Sequence, residues 1–389
     1  MVLKNRHLLA LLAIVSVVAL LPSPAAAATT VSAVTSGLDS PRGIAFYNGH
    51  LLVGEAGHGG STCFPIPGLP FPACAGNTSQ ISWVNTSNRS HTPLVSGLFS
   101  VSLGPEGVLG VSGLSVAEGK ILAQIGSTPQ EVPPTFTLGQ QQAGRLIKVK
   151  TNGTWTVVAS VGATDFQYTT KFTEPNPAVC GQCPGTQEHD ANPYGVLATD
   201  QGAYVADAGS NTLDFVNANG KVSILHHFGW RDPNAMNFPS DAVPDCVARG
   251  DDSLWVGQLS GQLFKVHGSH VTQVVLKDAA GNPLLTHVTG CTSDGSGNLY
   301  FVNMFGPGIP FTSPSFFKGN VVKYNPEEGK ASVLAGNLMF PNMAAVGPDG
   351  NLYVTAGAIC PAVGANVAPC FGATGTVLKI TLPRTEEGD

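Results

Sequence analysis

The sequence predicts an all-β fold: a six-bladed β-propeller of four-stranded blades, formed as a single domain over residues 29–389. Three observations lead to it. First, an apolar run following a tight turn recurs six times, as NGHLLVGEAG at 48, EGKILAQIGS at 118, QGAYVADAGS at 201, DDSLWVGQLS at 251, SGNLYFVNMF at 296 and DGNLYVTAGA at 349. Second, each copy sits among similar short runs, rich in Val, Ile, Leu, Tyr and Phe and bounded by Gly, Asp and Asn turns, which are strand and hairpin signals. Third, no stretch beyond the N-terminal segment keeps a 3.6-residue apolar period with caps, so helices should be few.

Taken in order, the first run of each unit is GIAF at 43, GVLGVSGLSV at 107, GVLA at 195, CVA at 246, CTS at 291 and AAV at 344. The recurrent run above is the second. The third is SQISWVN, AGRLIKVK, NTLDFVN, GQLFKVH, GNVVKYN and GTVLKIT. The fourth is TPLVSGL, TWTVVAS, KVSILHH, VTQVVL and ASVLAGN, and the sixth unit has none. The N-terminal TTVSAVTSGLDSPRG supplies it: like KASVLAGNLMFPNM, it is a β-run followed by Gly, Leu and Pro before a first strand. Val31–Thr35 is therefore expected to be the outermost strand of the sixth blade, closing the ring and removing two open edges.

With strands named a to d from the axis outward, the a–b and c–d turns are short throughout. The long insertions, about 57–77, 126–142, 166–189, 305–318 and 357–372, fall in the b–c and d–a connections, which share one face of a propeller. Long loops on a rigid scaffold are where binding usually sits, so this face is the expected functional one, for a small-molecule ligand or a protein partner. GLPFPACAGNTS and GHGG within it read as turns, because no helix follows to make a phosphate loop.

Composition narrows the classes. Only 11% of the residues are charged, the net charge is −6, and there are 47 Gly and 29 Pro. No basic run exists to meet phosphates, which excludes nucleic acid as a partner. At the N-terminus Lys4 and Arg6 precede an apolar run from Leu8 to Leu21 and small residues through Ala28. This reads as a signal peptide over residues 1–28, cleaved near Ala27/Ala28, the run being shorter than the ~20 residues of a spanning helix. The mature chain is expected to be secreted or periplasmic, without a membrane span, and monomeric.

Eight cysteines in an exported chain favour disulfides. Cys63/Cys74 and Cys360/Cys370 each flank Pro/Gly-rich loops, and Cys180/Cys183 form CGQC, which without a βαβ setting reads as a loop staple. Cys246 and Cys291 hold equivalent first-strand positions; an inter-blade disulfide and two buried thiols both suit them.

Registering the units yields two polar rings on the loop-rich face. One, at the end of strand b, is Glu55, Gln124, Asp207, Gln258, Asn303 and Ala356; the other, at the start of strand a, is Arg42, Glu106, Tyr194, Asp245, Gly290 and Asn342. Oxygen ligands such as Glu55, Asp207 and Asn303 suit a hard cation, Ca2+ above all. The same residues suit substrate positioning, with His189 or Glu55 as general base, and equally a water-lined channel. The insertion aromatics Phe64, Phe71, Phe305, Phe311, Phe316, Phe317 and Phe371 read either as an apolar platform or as packing beneath the loops. No G-x-S-x-G, H-E-x-x-H or phosphate loop is present, so no catalytic residue is assigned.

SPRGIAF…LLVGEAGHGG, NPYGVLA…VADAGSNTLDFVNANGKVS, VPDCVA…LWVGQLSG and VGPDGNLYVTAGA…GTVLKIT resemble the exported ScyD/ScyE family of bacterial propellers, relatives of the NHL-repeat and SMP-30/gluconolactonase-type folds. The resemblance covers nearly the whole mature chain. It implies an exported six-bladed propeller and little about activity, the family name coming from an association with biosynthesis of the pigment scytonemin. Where the family pattern has a second Glu, in a VGELTG-like segment, this chain has Gln258. Two functional classes follow: a binding or scaffold propeller acting through the loop face, and a divalent-metal-dependent hydrolase or lactonase. A quinone-dependent dehydrogenase is disfavoured by the few basic residues available to hold an acidic cofactor.

Overall fold

Short apolar runs joined by tight turns cannot bury both faces of a hairpin alone, and the six units solve this by stacking face to face around an axis. The computed structural model describes residues 29–66, 70–104, 107–172, 189–229, 241–307, 315, 317–362, 370 and 372–382; the strands lie within the unit Thr29–Leu382. The segment 1–28, Glu106, Cys180 and Cys183 lie outside these residues. So do Phe311, Phe316 and Phe371.

After β1 (Thr30–Leu38), blade one is built from β2 (Pro41–Tyr47), β3 (His50–Glu55), a short arm β4 (Thr62–Phe64), β5 (Ala73–Asn85), β6 (Ser90–Ser102) and the two-residue β7 (Val108–Leu109). Blade two is β8 (Val111–Ala117), β9 (Lys120–Ile125), β10 (Arg145–Val149) and β11 (Trp155–Ser160). Blade three is β12 (Pro193–Ala198), β13 (Gly202–Asp207), β14 (Thr212–Asn217) and β15 (Val222–His227). Blade four is β16 (Pro244–Arg249), β17 (Leu254–Gln258), β18 (Leu263–His267) and β19 (His270–Val274). Blade five is β20 (Val288–Ser293), β21 (Leu299–Asn303), β22 (Lys318–Asn325) and β23 (Lys330–Met339). Blade six is β24 (Ala344–Val346), β25 (Leu352–Ala356), β26 (Gly375–Thr381) and, from the other end of the chain, β1. Helix α1 (Thr137–Gln142) lies in the b–c connection of blade two, and α2 (Val161–Thr169) joins blades two and three. Among the described residues no helix is long and apolar enough to cross a membrane.

The turns carry their own logic. Asn48–Gly49 and Glu118–Gly119 take positive φ at both central positions, the geometry of a two-residue hairpin that follows the strand twist. The D-x-x-x-N-x-Y and D-x-N-x-Y phrases of blades five and six place an aspartate inside its own turn. Asp294 accepts from Ser296 N, Asn298 N, Asn298 Nδ2 and the Tyr300 hydroxyl. Asp349 does the same with Asn351 and Tyr353 and adds Lys379 Nζ at 2.7 Å.

The inner strands pack almost backbone to backbone. A Cβ on Gly43 would lie 2.6 Å from Leu114 N, on Gly113 2.5 Å from Tyr194 O, on Gly195 2.5 Å from Asp245 O and on Gly290 2.1 Å from Asn342 O. Blade four has Cys246 at this position, which corresponds to Gly290, so Cys291 lies one residue further along its strand and the two cysteines are not the equivalent positions the repeat suggests; their disulfide joins β16 to β20 with the Cα atoms 5.6 Å apart. That decides between the two readings of this pair. Cys63–Cys74 ties β4 to β5, and Cys360–Cys370 ties the last b–c connection. The core is aliphatic and lies in the wedges between blades, for example Val34, Leu38, Val53 and Val377 between blades six and one.

Ring closure follows the expected scheme. β1 pairs antiparallel with β26 from Thr30↔Thr381 to Leu38↔Gly375 and buries Val34 and Leu38. Burying two aliphatic side chains contributes about 5 kcal/mol, which for a domain of this size corresponds to on the order of 10 °C in melting temperature. Deleting residues 29–38 is expected to lower the melting temperature of the whole domain by at least that much, read by circular dichroism; an unchanged melt would remove β1 from the closure.

Candidate functional site

The residues at the start of strand a converge at the loop-side mouth of the axial channel. Arg42 of β2, Tyr194 of β12, Asp245 of β16 and Asn342 before β24 come from four different blades and are all buried. Arg42 Nη1 donates to the Tyr194 hydroxyl at 2.6 Å, and Asn342 Nδ2 donates to the same oxygen at 2.7 Å. The guanidinium carbon stands 5.3 Å from the Tyr194 ring centre, within cation–π range. Burial raises the Tyr194 hydroxyl above its ordinary range, with Arg42 opposing. Burial likewise pushes the Asp245 carboxyl well up, only partly countered by Arg42. Among the described residues, Arg42 Nε and Asn342 Oδ1 of this network have no partner. Deeper along the inner strands, toward the a–b turns, is a cavity of about 270 Å³ lined by residues of all six blades, among them Ile44, Leu114, Val196, Val247 and Ala344.

The second ring behaves differently. Glu55 accepts Asp39 N at 2.7 Å, Gln80 Nε2 at 2.7 Å and Ser82 Oγ at 2.5 Å. Asp207 Oδ1 accepts the N–H groups of Asn192, Gly209 and Ser210 at 2.8, 2.9 and 2.9 Å. Asn303 Oδ1 accepts Thr286 N and His287 N, while its Nδ2 donates to Leu284 O and Asn320 Oδ1. Asp39, Asn192 and Thr286–His287 all belong to the chain arriving at strand a, one or two residues before its first pair with strand b. These side chains therefore latch the incoming d–a connection onto strand b, each within its own blade. Gln258 bonds Ser260 Oγ, and Gln124 Nε2 bonds Ile125 O. Among the described residues no group of three or more His, Cys, Asp or Glu is disposed to hold a metal ion.

His189, exposed, stacks on Phe166 with ring centres 3.9 Å apart. Phe305 and Phe317 pack against Phe340 beneath the stapled 357–372 loop, in a small core with Cys360 and Cys370. Phe64 and Phe71 line a shallow apolar cleft with Cys63 and three prolines.

Two features were not readable as sites in the sequence. In blade three, Asp165 of α2 lies within hydrogen-bonding reach of both Asp207 and Asp214, and all three are buried. Among the described residues both Asp165 oxygens, Asp207 Oδ2 and Asp214 Oδ1 lack a conventional donor. Burial first, and the neighbouring carboxylates second, push Asp165 and Asp214 well above the usual carboxylate range. Asp207, with three backbone N–H donors, is the member suited to carry the charge. The other feature is His58 in GHGG, whose Nδ1 stands 2.5 Å from Asp39 Oδ2.

No protein-family model matches the chain, and no curated protein does. Solved structures do. A structural-genomics protein of unknown function from Bacteroides thetaiotaomicron aligns at TM-score 0.54 and 10% identity, over 91% of this chain and 76% of that one. A luciferin-regenerating enzyme aligns at TM-score 0.50 and 11% identity, over 91% and 95%. A putative gluconolactonase aligns at TM-score 0.47 and 10% identity, over 91% and 92%. At such identities the likeness is one of fold alone.

The aspartate cluster sets a pH dependence. In the unfolded chain these carboxyls ionise near pH ~4, whereas burial and the neighbouring carboxylates raise Asp165 and Asp214 well above that in the fold. Their contribution is therefore unfavourable to folding as pH rises above that value, and grows until the folded pKa is passed. Asp165→Asn, which keeps the shape and donates to its neighbours, is expected to melt higher than the parent at pH ~8 and to flatten the decline between pH ~5 and ~8. A variant that melts lower at every pH contradicts the shared-proton arrangement.

Proposed function

We propose that the chain is an exported propeller that binds a small polar molecule at the loop-side channel mouth. One observation carries this reading: Arg42 Nε and Asn342 Oδ1, a donor and an acceptor in side chains that share the Tyr194 hydroxyl, are buried and have no partner among the described residues. A buried donor and acceptor left unmet cost about 1–3 kcal/mol each, which a ligand offering one acceptor and one donor recovers. A hydroxyl, which accepts and donates, meets both atoms, so a polyol or hydroxy-carbonyl compound suits the site. The resemblance to ScyD/ScyE propellers, the three disulfides among the described residues and the N-terminal signal-peptide pattern together support export.

The metal-dependent hydrolase is the weaker reading, because Glu55, Asp207 and Asn303 serve three separate blade latches. The test is a set of melts against neutral sugars and sugar lactones, with excess calcium and with EDTA. A compound from this panel is expected to raise the melting temperature of the parent, and Arg42→Lys, which keeps the charge but loses Nε, is expected to abolish that rise. Calcium and EDTA are expected to leave the melt unchanged. A calcium-dependent rise, or a ligand effect indifferent to Arg42→Lys, would overturn the reading.

A further inference from the structure

At one repeated position of strand c, blades one and three depart from the other four. The residue paired with a position near the start of strand b is a lysine in four blades: Lys148 pairs with Leu122, Lys265 with Trp255, Lys323 with Tyr300 and Lys379 with Tyr353. Blade three has Phe215 opposite Tyr204, and those two rings pack together with centres 5.0 Å apart. Blade one has Trp83 opposite Leu52. On the outer side of this position the neighbour is small and hydroxylated, Thr92 beside Trp83 as Thr156 is beside Lys148 and Thr272 beside Lys265. A large aromatic side chain therefore stands where the repeat otherwise places a solvated cation, with open space beyond it.

Trp83 is half-buried. It packs on the core of blade one with Tyr47, ring centres 6.2 Å apart, and the rest of it lines a cleft of about 490 Å³ between the a–b and c–d turns of that blade. Small-molecule sites span ~300–1,000 Å³. No Asp, Glu, Lys or Arg lines the cleft, yet its rim is polar. The ring of His50 stands across Trp83 at 76°, with centres 6.0 Å apart. Asn85 Oδ1 accepts Ser87 N at 3.0 Å and Asn88 N at 3.2 Å, which fixes the amide and leaves Nδ2 to donate. Thr35 Oγ1 gives its hydrogen to Arg89 O at 2.9 Å, so toward His91 Nδ1, 3.4 Å away, it can only accept. In the neutral imidazole Nε2 is then an acceptor. An aromatic wall, an amide donor, an imidazole acceptor and the Thr92 hydroxyl thus share one uncharged cleft.

We propose that this cleft binds a neutral saccharide, with a pyranose ring laid against Trp83. The axial C–H groups of a pyranose are weakly positive and the face of the indole is negative, so the two are complementary while both leave water. The sugar hydroxyls each donate and accept, and the rim supplies both roles. An acidic sugar meets no cation in the cleft and a net charge of −6 on the chain. His50, Asn85 and Thr92 are exposed, so a unit within a longer chain can enter as readily as a free sugar. The cleft belongs to the face of the short turns, opposite the loop-rich face. Its residues differ from those of the channel mouth, so binding here stands or falls independently of ligand binding there.

The test is native affinity electrophoresis of the full chain in gels containing hydroxyethyl cellulose, dextran or soluble starch, with alginate as the anionic counterpart. The parent is expected to be retarded by at least one of the three neutral polymers and not by alginate. Trp83→Ala is expected to weaken that retardation at least ~10-fold, read from the polymer concentration that halves the mobility, and Trp83→Phe, which keeps an aromatic face, to weaken it less. Because Trp83 also packs on the core, a second variant separates lost binding from lost folding. Thr92→Arg, at an exposed position beside Trp83, fills the cleft from the solvent side and is expected to weaken retardation comparably while melting as the parent does. A parent retarded by none of the three neutral polymers overturns the proposal, and so does one retarded as strongly by alginate. Retardation that persists unchanged in either Trp83→Ala or Thr92→Arg overturns it as well.

Discussion

Six inner strands have to lie side by side around one axis, and this close approach is the constraint on which the remainder of the molecule depends. It is met by glycine at one repeated position, Gly43, Gly113, Gly195 and Gly290, where each strand meets the backbone of the next blade. In blade four the position carries Cys246 instead, whose sulfur bonds the following blade's Cys291. Threonine and serine hydroxyls add to the contact: Ser112 reaches Pro193 O, Thr289 reaches Asn342 O, and Thr355 of the last blade reaches Arg42 O of the first. Strands held this closely bring the residues at their starts, Arg42, Tyr194, Asp245 and Asn342, to the axis whether or not they serve a ligand.

The same repetition explains why a polar residue ends strand b in blade after blade. The chain arrives there from an outer strand through a connection, two residues long in blade one and longer in blades three and five, whose N–H groups have no ladder partner, and a buried N–H must find an acceptor. Glu55, Asp207 and Asn303 are that acceptor in blades one, three and five. A repeating polar residue is thus a consequence of repeating architecture. Chemistry has to be sought where a residue departs from the repeat: Asp165 on an inserted helix, or Trp83 where four blades carry lysine.

Much of the fold was legible in the sequence because hairpins are written locally. Asn48–Gly49, the D-x-x-x-N-x-Y turn at Asp294 and the six apolar second strands each identify themselves without reference to distant residues. Even ring closure was legible, since TTVSAVTSGL has the form of a fourth strand with no unit before it. The site was legible only in register. Equivalent positions could be aligned, but not which oxygens were already bonded, because the partners are backbone groups arriving from loops. Asp165 was invisible for a related reason: its neighbours Asp207 and Asp214 are more than forty residues away and meet it only through α2. His58 read as part of a turn, and it is one; Asp39, which meets its ring, precedes the strand before it.

The central claim is that the ring is one cooperative unit, closed by its N-terminal strand. Native-state hydrogen exchange followed by mass spectrometry tests it most directly, because opening free energies distinguish a frayed terminus from a core strand. The account predicts that peptides from Thr30–Leu38 and Gly375–Thr381 are protected to the same extent as those from the inner strands Pro41–Tyr47 and Pro193–Ala198. Exchange of Thr30–Leu38 at the rate of an unstructured tail, with the inner strands still protected, would contradict it.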